Sequence, residues 1–328
     1  MIRRAVWTLI LLLPQAALAQ TPWPEECKLH RIATFPMTRV GDRITVPVTV
    51  NGVEKNFLVD TGGYVTSISQ DSADALKLES HPIVFNRIQD VGGKEASKYV
   101  YADSFKLGAM EAKRFDLMVD QTKDPHMDGT LAPDLLRNFD IDLDFGAMTM
   151  NLFRPHPCEG KAAYWTQAYI ALPMEVTKSG HTRVDVTLDG EDMDAILDTG
   201  AAVSLMTFGS ARRFFSLHPD SAGVTKVGQV SGAEGSVNDA YRYPFKSLSM
   251  GGVAVSNPRL VLADAPTVLA DEHVSLILGM TELRFLHLYF AITNTSSMFP
   301  RSRSSNHHPA LTRRVRCGIG RHDHRPQT

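Results

Sequence analysis

The chain carries one short frame twice, and that repetition constrains its fold more than any other feature. Phe57-Leu58-Val59-Asp60-Thr61-Gly62 and Ala195-Ile196-Leu197-Asp198-Thr199-Gly200 each set Asp-Thr-Gly at the end of an apolar run. A given tripeptide turns up by chance in roughly one chain in ten to twenty of this length, and two copies in one setting are rarer by about another factor of 10². A lone Asp before Gly is a common turn residue whose side chain caps its own backbone. Two in matched frames ask for another account. A repeated frame can bring one carboxylate face to face with its copy, where two acids share one proton.

The surroundings repeat as well. Ile44-Thr45-Val46-Pro47-Val48-Thr49-Val50 leads to Asn51-Gly52, and Arg183-Val184-Asp185-Val186-Thr187-Leu188 leads to Asp189-Gly190. Each aspartate follows its Gly by eight residues. Alternating β-branched runs flanking Asn-Gly or Asp-Gly predict hairpins, with each Asp at the end of the second strand. Downstream, Leu107-Gly108-Ala109-Met110-Glu111 echoes Met250-Gly251-Gly252-Val253-Ala254, and both predict hairpin turns. The strands Asp116-Leu117-Met118-Val119 and Arg259-Leu260-Val261-Leu262 follow them. A third echo pairs Thr130-Leu131-Ala132-Pro133-Asp134 with Ile277-Leu278-Gly279-Met280-Thr281. A period of roughly 140 residues is too long for a solenoid and fits two related lobes. Short helices are predicted over Gln70–Lys77, Asp134–Asn138, Ser210–Phe215 and Thr281–Phe285.

With these motifs the chain resembles the retropepsin-like aspartic peptidases, in a form with two copies fused. The resemblance covers about residues 40–153 and 168–292. It implies a mostly β fold: two homologous retropepsin-like lobes, closed or folded sheets with short helices, forming a pepsin-like pseudo-dimer. By position it makes Asp60 and Asp198 the catalytic pair and gives Thr61, Gly62, Thr199 and Gly200 the support of the two active-site loops. Ile277-Leu278-Gly279 matches the second family signature, whereas Thr130-Leu131-Ala132 has Ala where the family has Gly. The residue after each Asp-Thr-Gly is Gly63 or Ala201, where pepsin-like relatives carry a hydroxyl that donates to the carboxylate. A carboxylate that lacks a donor titrates higher, so the activity optimum is expected above that of a digestive enzyme.

The implied activity is an aspartic endopeptidase, a hydrolase acting on protein or peptide substrates. One carboxylate takes a proton from a shared water, and the other, neutral, donates to the carbonyl oxygen. No cofactor and no metal is expected. A peptide-binding protein of the same fold without turnover is the alternative, and so is a site formed between two chains rather than within a monomer. Val91-Gly92-Gly93-Lys94-Glu95, with Tyr99 and Tyr101 after it, reads either as a mobile lid or as an ordinary surface turn. Ser231-Gly232-Ala233-Glu234-Gly235, with Tyr241 and Tyr243, reads the same two ways. Met127-Asp128-Gly129-Thr130 resembles a phosphatase loop, but that loop needs a second Asp where His126 stands, so it is rejected. Neither a serine-nucleophile elbow nor a zinc-binding helix motif, Walker loop or dinucleotide fingerprint occurs.

Residues 1–19 read as a signal peptide: Arg3-Arg4, an apolar core from Ala5 to Leu13, then Ala17-Leu18-Ala19 before a cleavage point. The expectation is a periplasmic or secreted protein without stable membrane insertion, since no run approaches ~20 apolar residues. Export permits a disulfide. Cys27 and Cys158 bracket the first lobe and could tie its ends together or stay free, leaving Cys317 over. The predicted organisation is lobe one at 40–153, a linker at 154–167, lobe two at 168–295 and a basic disordered tail at 296–328. The tail has seven Arg and one acidic residue, on a body of net charge about −10, so nucleic acid is not an expected partner. Lobe one closes with Ile141–Phe145 and Met148–Phe153. In lobe two the return strand after Leu286–Phe290 is expected near Ser297–Pro300 or is missing.

Overall fold

A computed structural model describes residues 28–83, 88–89, 95–96, 98–120, 124–155, 164–166, 169–177, 179–231, 237–264, 274–291 and 314–321. The signal-peptide segment, Cys27 and Cys158 lie outside the described residues, as do 91–94, 232–236 and 297–300. The fold is mostly β and has two lobes built on the same plan.

In lobe one, Arg43–Val50 and Val53–Val59 pair with Val50 opposite Val53. Asn51 and Gly52 both take positive φ, 50° and 83°, the geometry of a tight two-residue hairpin. In lobe two, Thr182–Leu188 and Glu191–Leu197 repeat this, with Asp189 and Gly190 at 47° and 93°. The downstream hairpins are also present, Lys98–Leu107 with Met110–Asp120 and Ser247–Met250 with Val253–Ser256.

The two lobes also share an arrangement that no local pattern announces. Gly129–Leu131 slots in parallel beside the strand that ends at Asp60, and antiparallel to Ser67–Ser69 on its other side. Leu276–Leu278 does the same between Glu191–Leu197 and Leu205–Thr207. Each aspartate is therefore tied down at its own amide: Asp60 N–H donates to Leu131 O at 3.0 Å, and Asp198 N–H to Leu278 O at 2.9 Å. The four helices among the described residues are short: α1 (Gln70–Ala75), α2 (Pro133–Leu136), α3 (Phe208–Phe215) and α4 (Met280–Leu283). The hydroxyls of Ser69 and Thr207 cap α1 and α3, accepting from Ser72 N–H and Ser210 N–H.

Behind the lobes runs a sheet to which both contribute. Its order is Arg31–Pro36, Thr149–Phe153, Asp140–Asp144, Leu286–Ala291, Arg314–Arg321 and Ile170–Val176, all antiparallel neighbours. This corrects the expectation of a disordered tail over its residues 314–321. The return strand of lobe two exists, but it comes from Arg314–Arg321, which pairs with Leu286–Ala291 on one side and Ile170–Val176 on the other. Backbone pairing on both edges outweighs the basic composition that made this stretch look unfoldable.

One apolar core runs through both lobes and the shared sheet, with Phe57, Ile68 and Leu117 in the first, Phe208, Leu262 and Leu278 in the second, and Leu143, Met150 and Leu288 between. A polar knot joins the linker to this sheet. Asp142 is wholly buried and accepts from Asn151 Nδ2 at 2.9 Å and Tyr164 OH at 2.7 Å. Its other oxygen lies 2.6 Å from His287 Nε2, and Trp165 stacks on the His287 ring at 3.7 Å. Among the described residues no helix is long and apolar enough to cross a membrane.

Candidate active site

The two Asp-Thr-Gly turns meet at the junction of the lobes, locked by four hydrogen bonds. Thr61 Oγ1 donates to Leu197 O at 2.7 Å and accepts from Thr199 N–H at 3.1 Å. Thr199 Oγ1 donates to Val59 O at 2.6 Å and accepts from Thr61 N–H at 3.2 Å. Both threonines are buried. Each hydroxyl thus satisfies one donor and one acceptor of the opposite loop. Valine in either place would remove two bonds and strand two buried backbone groups.

This lock sets the carboxyls against one another. A Cβ on Gly62 would overlap the Asp198 carboxyl carbon, and a Cβ on Gly200 would overlap that of Asp60. Glycine is needed here for close approach, and each lobe supplies the floor beneath the other's acid. The two carboxyls lie close enough that Asp198 acts on Asp60 as a neighbouring charge. Gly62 N–H donates to Asp60 Oδ1 at 3.0 Å, while Gly200 N–H and Ala201 N–H donate to Asp198 Oδ1 at 2.8 and 3.0 Å.

Both acids are half-buried, and burial is the largest cause that pushes each above the usual carboxylate range. For Asp60, repulsion from Asp198 adds to this. For Asp198, the Ala201 and Gly200 amides, the Asp60 carboxyl and the nearby His181 act the other way. The pair titrates as one unit, and the one amide on Asp60 Oδ1 against two on Asp198 Oδ1 makes the two acids' surroundings unequal. The rise agrees in direction with the reading from Gly63 and Ala201, but desolvation leads, ahead of any missing hydroxyl.

The loops are backed differently in the two lobes. In lobe one, Thr66 Oγ1 donates to Asp134 Oδ1 at 2.7 Å and accepts from Ala132 N–H at 3.2 Å. In lobe two, Ser204 Oγ donates to Glu282 Oε2 and accepts from Gly279 N–H at 2.9 Å. Ala132, where the family has Gly, is buried beside Gly63. A Cβ on Gly63 would lie 3.4 Å from that of Ala132 and 2.9 Å from Asp60 Oδ2. At Gly279 there is no such room, since a Cβ would run into Val203 O.

The other sequence candidates settle into structural roles. Asp128, of the rejected phosphatase-like loop, accepts from Lys55 Nζ at 3.0 Å, Ser72 Oγ at 2.6 Å and Asn56 N–H at 2.8 Å. Tyr99 and Tyr101 pack on each other and on His81, while Tyr241 packs on Phe208 and Tyr243 on Phe245. Those rings hold their hairpins, and the glycine-rich tips between them lie outside the described residues. Cys317 belongs to the shared sheet, its backbone opposite Phe290 and Leu172. Among the described residues no group of three or more His, Cys, Asp or Glu is arranged to hold a metal. The sequence reading missed His181 and Tyr64, whose rings meet edge to face across the lobe boundary; their contact depends on how the lobes pack, and nothing local signals it.

A family model described as aspartyl protease matches residues 46–133 and 184–281, more than half of the chain. The chain belongs to the aspartyl protease family. Each matched segment of this family member holds one of the two acids. No curated protein matches the chain. Among solved structures it is similar to the crystal structure of the aspartic proteinase from Irpex lacteus. The two are 14% identical, with 89% of this chain and 97% of that one covered and a TM-score of 0.46.

Proposed function

We propose that the protein is an aspartic endopeptidase whose catalytic residues are Asp60 and Asp198. The observation that carries the reading is the carboxyl pair itself: two half-buried acids set against one another where the Thr61 and Thr199 lock joins their loops, both raised above the usual carboxylate range. Such a pair at the junction of two lobes can hold one water and one proton. The Asp198 carboxylate takes a proton from that water, which attacks the amide carbon. The Asp60 carboxyl donates to the carbonyl oxygen as charge develops there. Both acids come from one chain, which favours a working monomer with lobes at 40–153 and 168–295 derived from one duplicated unit. With the leader at residues 1–19, the reading extends to a periplasmic or secreted enzyme acting on protein substrates.

The test is cleavage of an unfolded protein substrate across pH, with Asp60→Asn and Asp198→Asn alongside. Each variant should lose at least ~10³-fold in kcat/KM while keeping its fold, because the two acids act as one unit. A hydroxyl-bearing transition-state mimic should inhibit the wild type. Tight binding of that mimic with no cleavage by the wild type at any pH would instead make the protein a peptide-binding module. Activity that falls on dilution would point to a site shared between chains.

A further inference from the structure

Behind Asp198 lies a third buried carboxyl that the water-activating pair does not use. Glu282, in α4, accepts on Oε2 from the hydroxyls of Ser204 and Thr281, and on Oε1 from Arg259 N–H at 3.1 Å. Ser204 is wholly buried, and its hydroxyl also accepts from Gly279 N–H at 2.9 Å. The next amide along, Met280 N–H, donates to Ala201 O at 2.8 Å, and Ser204 N–H donates to Thr281 Oγ1 at 3.0 Å. Ala201 gives its own N–H to Asp198 Oδ1 at 3.0 Å. Residues 201–204 are therefore stapled to the start of α4, and the staple runs from Glu282 to the acid. Lobe one lacks its last step. Pro133 stands where lobe two has Met280, and proline has no N–H to give to the Asp60 loop. The carboxyl of lobe one stands one position earlier: Asp134, in the place of Thr281, accepts from Thr66 N–H at 2.9 Å and Thr66 Oγ1 at 2.7 Å. The acids differ to match, with one amide on Asp60 Oδ1 and two on Asp198 Oδ1.

We propose that Glu282 is a positioning residue for Asp198: it draws the Ser204 and Thr281 hydroxyls together, clamps residues 201–204 on α4 and so keeps Ala201 N–H on the Asp198 carboxyl. Its link to turnover rests on the peptidase reading; its link to Asp198 stands on the hydrogen bonds alone. Two hydroxyls and one backbone N–H aim donors at Glu282, so the group that fits accepts on both of its oxygens. A glutamine amide has one oxygen, and its NH2 meets a donor whichever way it turns. Glu282→Gln thus keeps the shape of the side chain and removes the clamp. An acid held by two amides keeps its geometry when substrate arrives, which is what a group that must face one water requires.

The experiment follows backbone amide resonances of the nitrogen-labelled full chain as the acid pair titrates. Ala201 N–H reports on Asp198 and Gly62 N–H on Asp60, since each donates to that acid's Oδ1. In Glu282→Gln the pH-dependent movement of the Ala201 amide should fall by about half, while that of Gly62 is kept. With it kcat should drop about 10-fold and KM change by less than about twofold. Adding Thr281→Asp to Glu282→Gln puts the carboxyl where lobe one has it, and should bring the Ala201 movement back. A role in stability alone would lower the unfolding temperature and leave the Ala201 movement as in wild type. That result in folded Glu282→Gln overturns the proposal, and so does a folded double variant no better than the single one. If Glu282→Gln does not fold, Thr281→Val decides: at a half-exposed position it takes one hydroxyl off Glu282 and should shrink the Ala201 movement in the same sense. An Ala201 amide unchanged there overturns the proposal. Amide changes as expected in a chain that never cleaves leave this inference standing and sink only the peptidase reading.

Discussion

The two aspartate loops exchange matching threonine hydrogen bonds at their tips and diverge at the carboxyls and behind them. Thr61 and Thr199 exchange equivalent hydrogen bonds, and each acid is tied by its amide to the parallel strand beside it. Behind the tips the small residues trade places: Gly63 with Ala132 in lobe one, Ala201 with Gly279 in lobe two. The hydroxyl that backs each loop leans on Asp134 in one lobe and on Glu282 in the other. The contacts that reach across the lobe boundary differ too, an exposed ion pair on one side and a buried aromatic contact on the other. Geometry that both acids need is held symmetric. The environment that sets their charge is not, and an asymmetric environment is what lets one acid hold the proton while its partner holds the charge.

The symmetric part should give the largest effects on stability. Thr199→Val would leave Val59 O and Thr61 N–H without their partner inside the core, and Thr61→Val would do the same to Leu197 O and Thr199 N–H. Each should cost about 3 kcal/mol in urea unfolding, while Thr→Ser, which keeps the hydroxyl, should cost under about 1 kcal/mol. Markedly unequal losses from the two valines would break the claim that the tips are equivalent. The asymmetric part comes next. Gly279→Ala drives a methyl into Val203 O, a backbone atom with little freedom to retreat, and should cost about 2 kcal/mol. Ala132→Gly empties a space that is already comfortable and should cost about 1 kcal/mol. Similar penalties for the two would show that Ala132 and Gly279 do not differ in the room around them.

The shared charge gives a smaller effect with a definite sign. Both acids are raised in the folded protein, so protonation favours the native state. That stability is fully present below the unfolded carboxyl value, near pH 4, and is lost as pH rises through the raised values. Removing a charge should therefore stabilise the protein at neutral pH. Asp60→Asn should be more stable than wild type at pH 7 by on the order of 1 kcal/mol, seen as a higher unfolding temperature, and the gap should close below about pH 4. Asp198→Asn should gain less, because the Ala201 and Gly200 amides already support a charge there. A gap that widens on acidification would reverse the assignment.

The elements that show in the sequence are the ones built from neighbours. Asn51-Gly52 and Asp189-Gly190 announce their hairpins because only a few residues tolerate positive φ at both turn positions. The Asp-Thr-Gly pair was legible as chemistry because the frame occurs twice. The parallel insertion of Gly129–Leu131 and Leu276–Leu278 was not, since three-residue strands carry no period and their partners lie some 70 to 80 residues away. The return strand Arg314–Arg321 shows a different failure. Val315, Cys317 and Ile319 alternate with other residues as a strand should, but the arginine content masked a pattern that pairing on two edges makes use of. His181 leaves no mark in the spacing, because its contact with Tyr64 forms only when the lobes pack.

The contrast between the two boundary contacts gives the smallest expected effect. Asp42, in the turn before Arg43–Val50, takes an ion pair from Arg284 at 2.7 Å, just past α4. The corresponding turn of lobe two sets His181 on Tyr64 and Gly180 against Pro133, at the start of α2. The ion pair is open to water, with side-chain exposures of 48% for Asp42 and 26% for Arg284, so solvent and salt screen it. Asp42→Asn should cost no more than about 0.5 kcal/mol at low salt and nothing measurable at 1 M salt. It should leave the carboxyl midpoints of Asp60 and Asp198 where they are. A shift in either midpoint, or a loss that persists in high salt, would mean that this outer contact also governs how the acids face each other, and the division between a symmetric tip and an asymmetric surround would have to move outward.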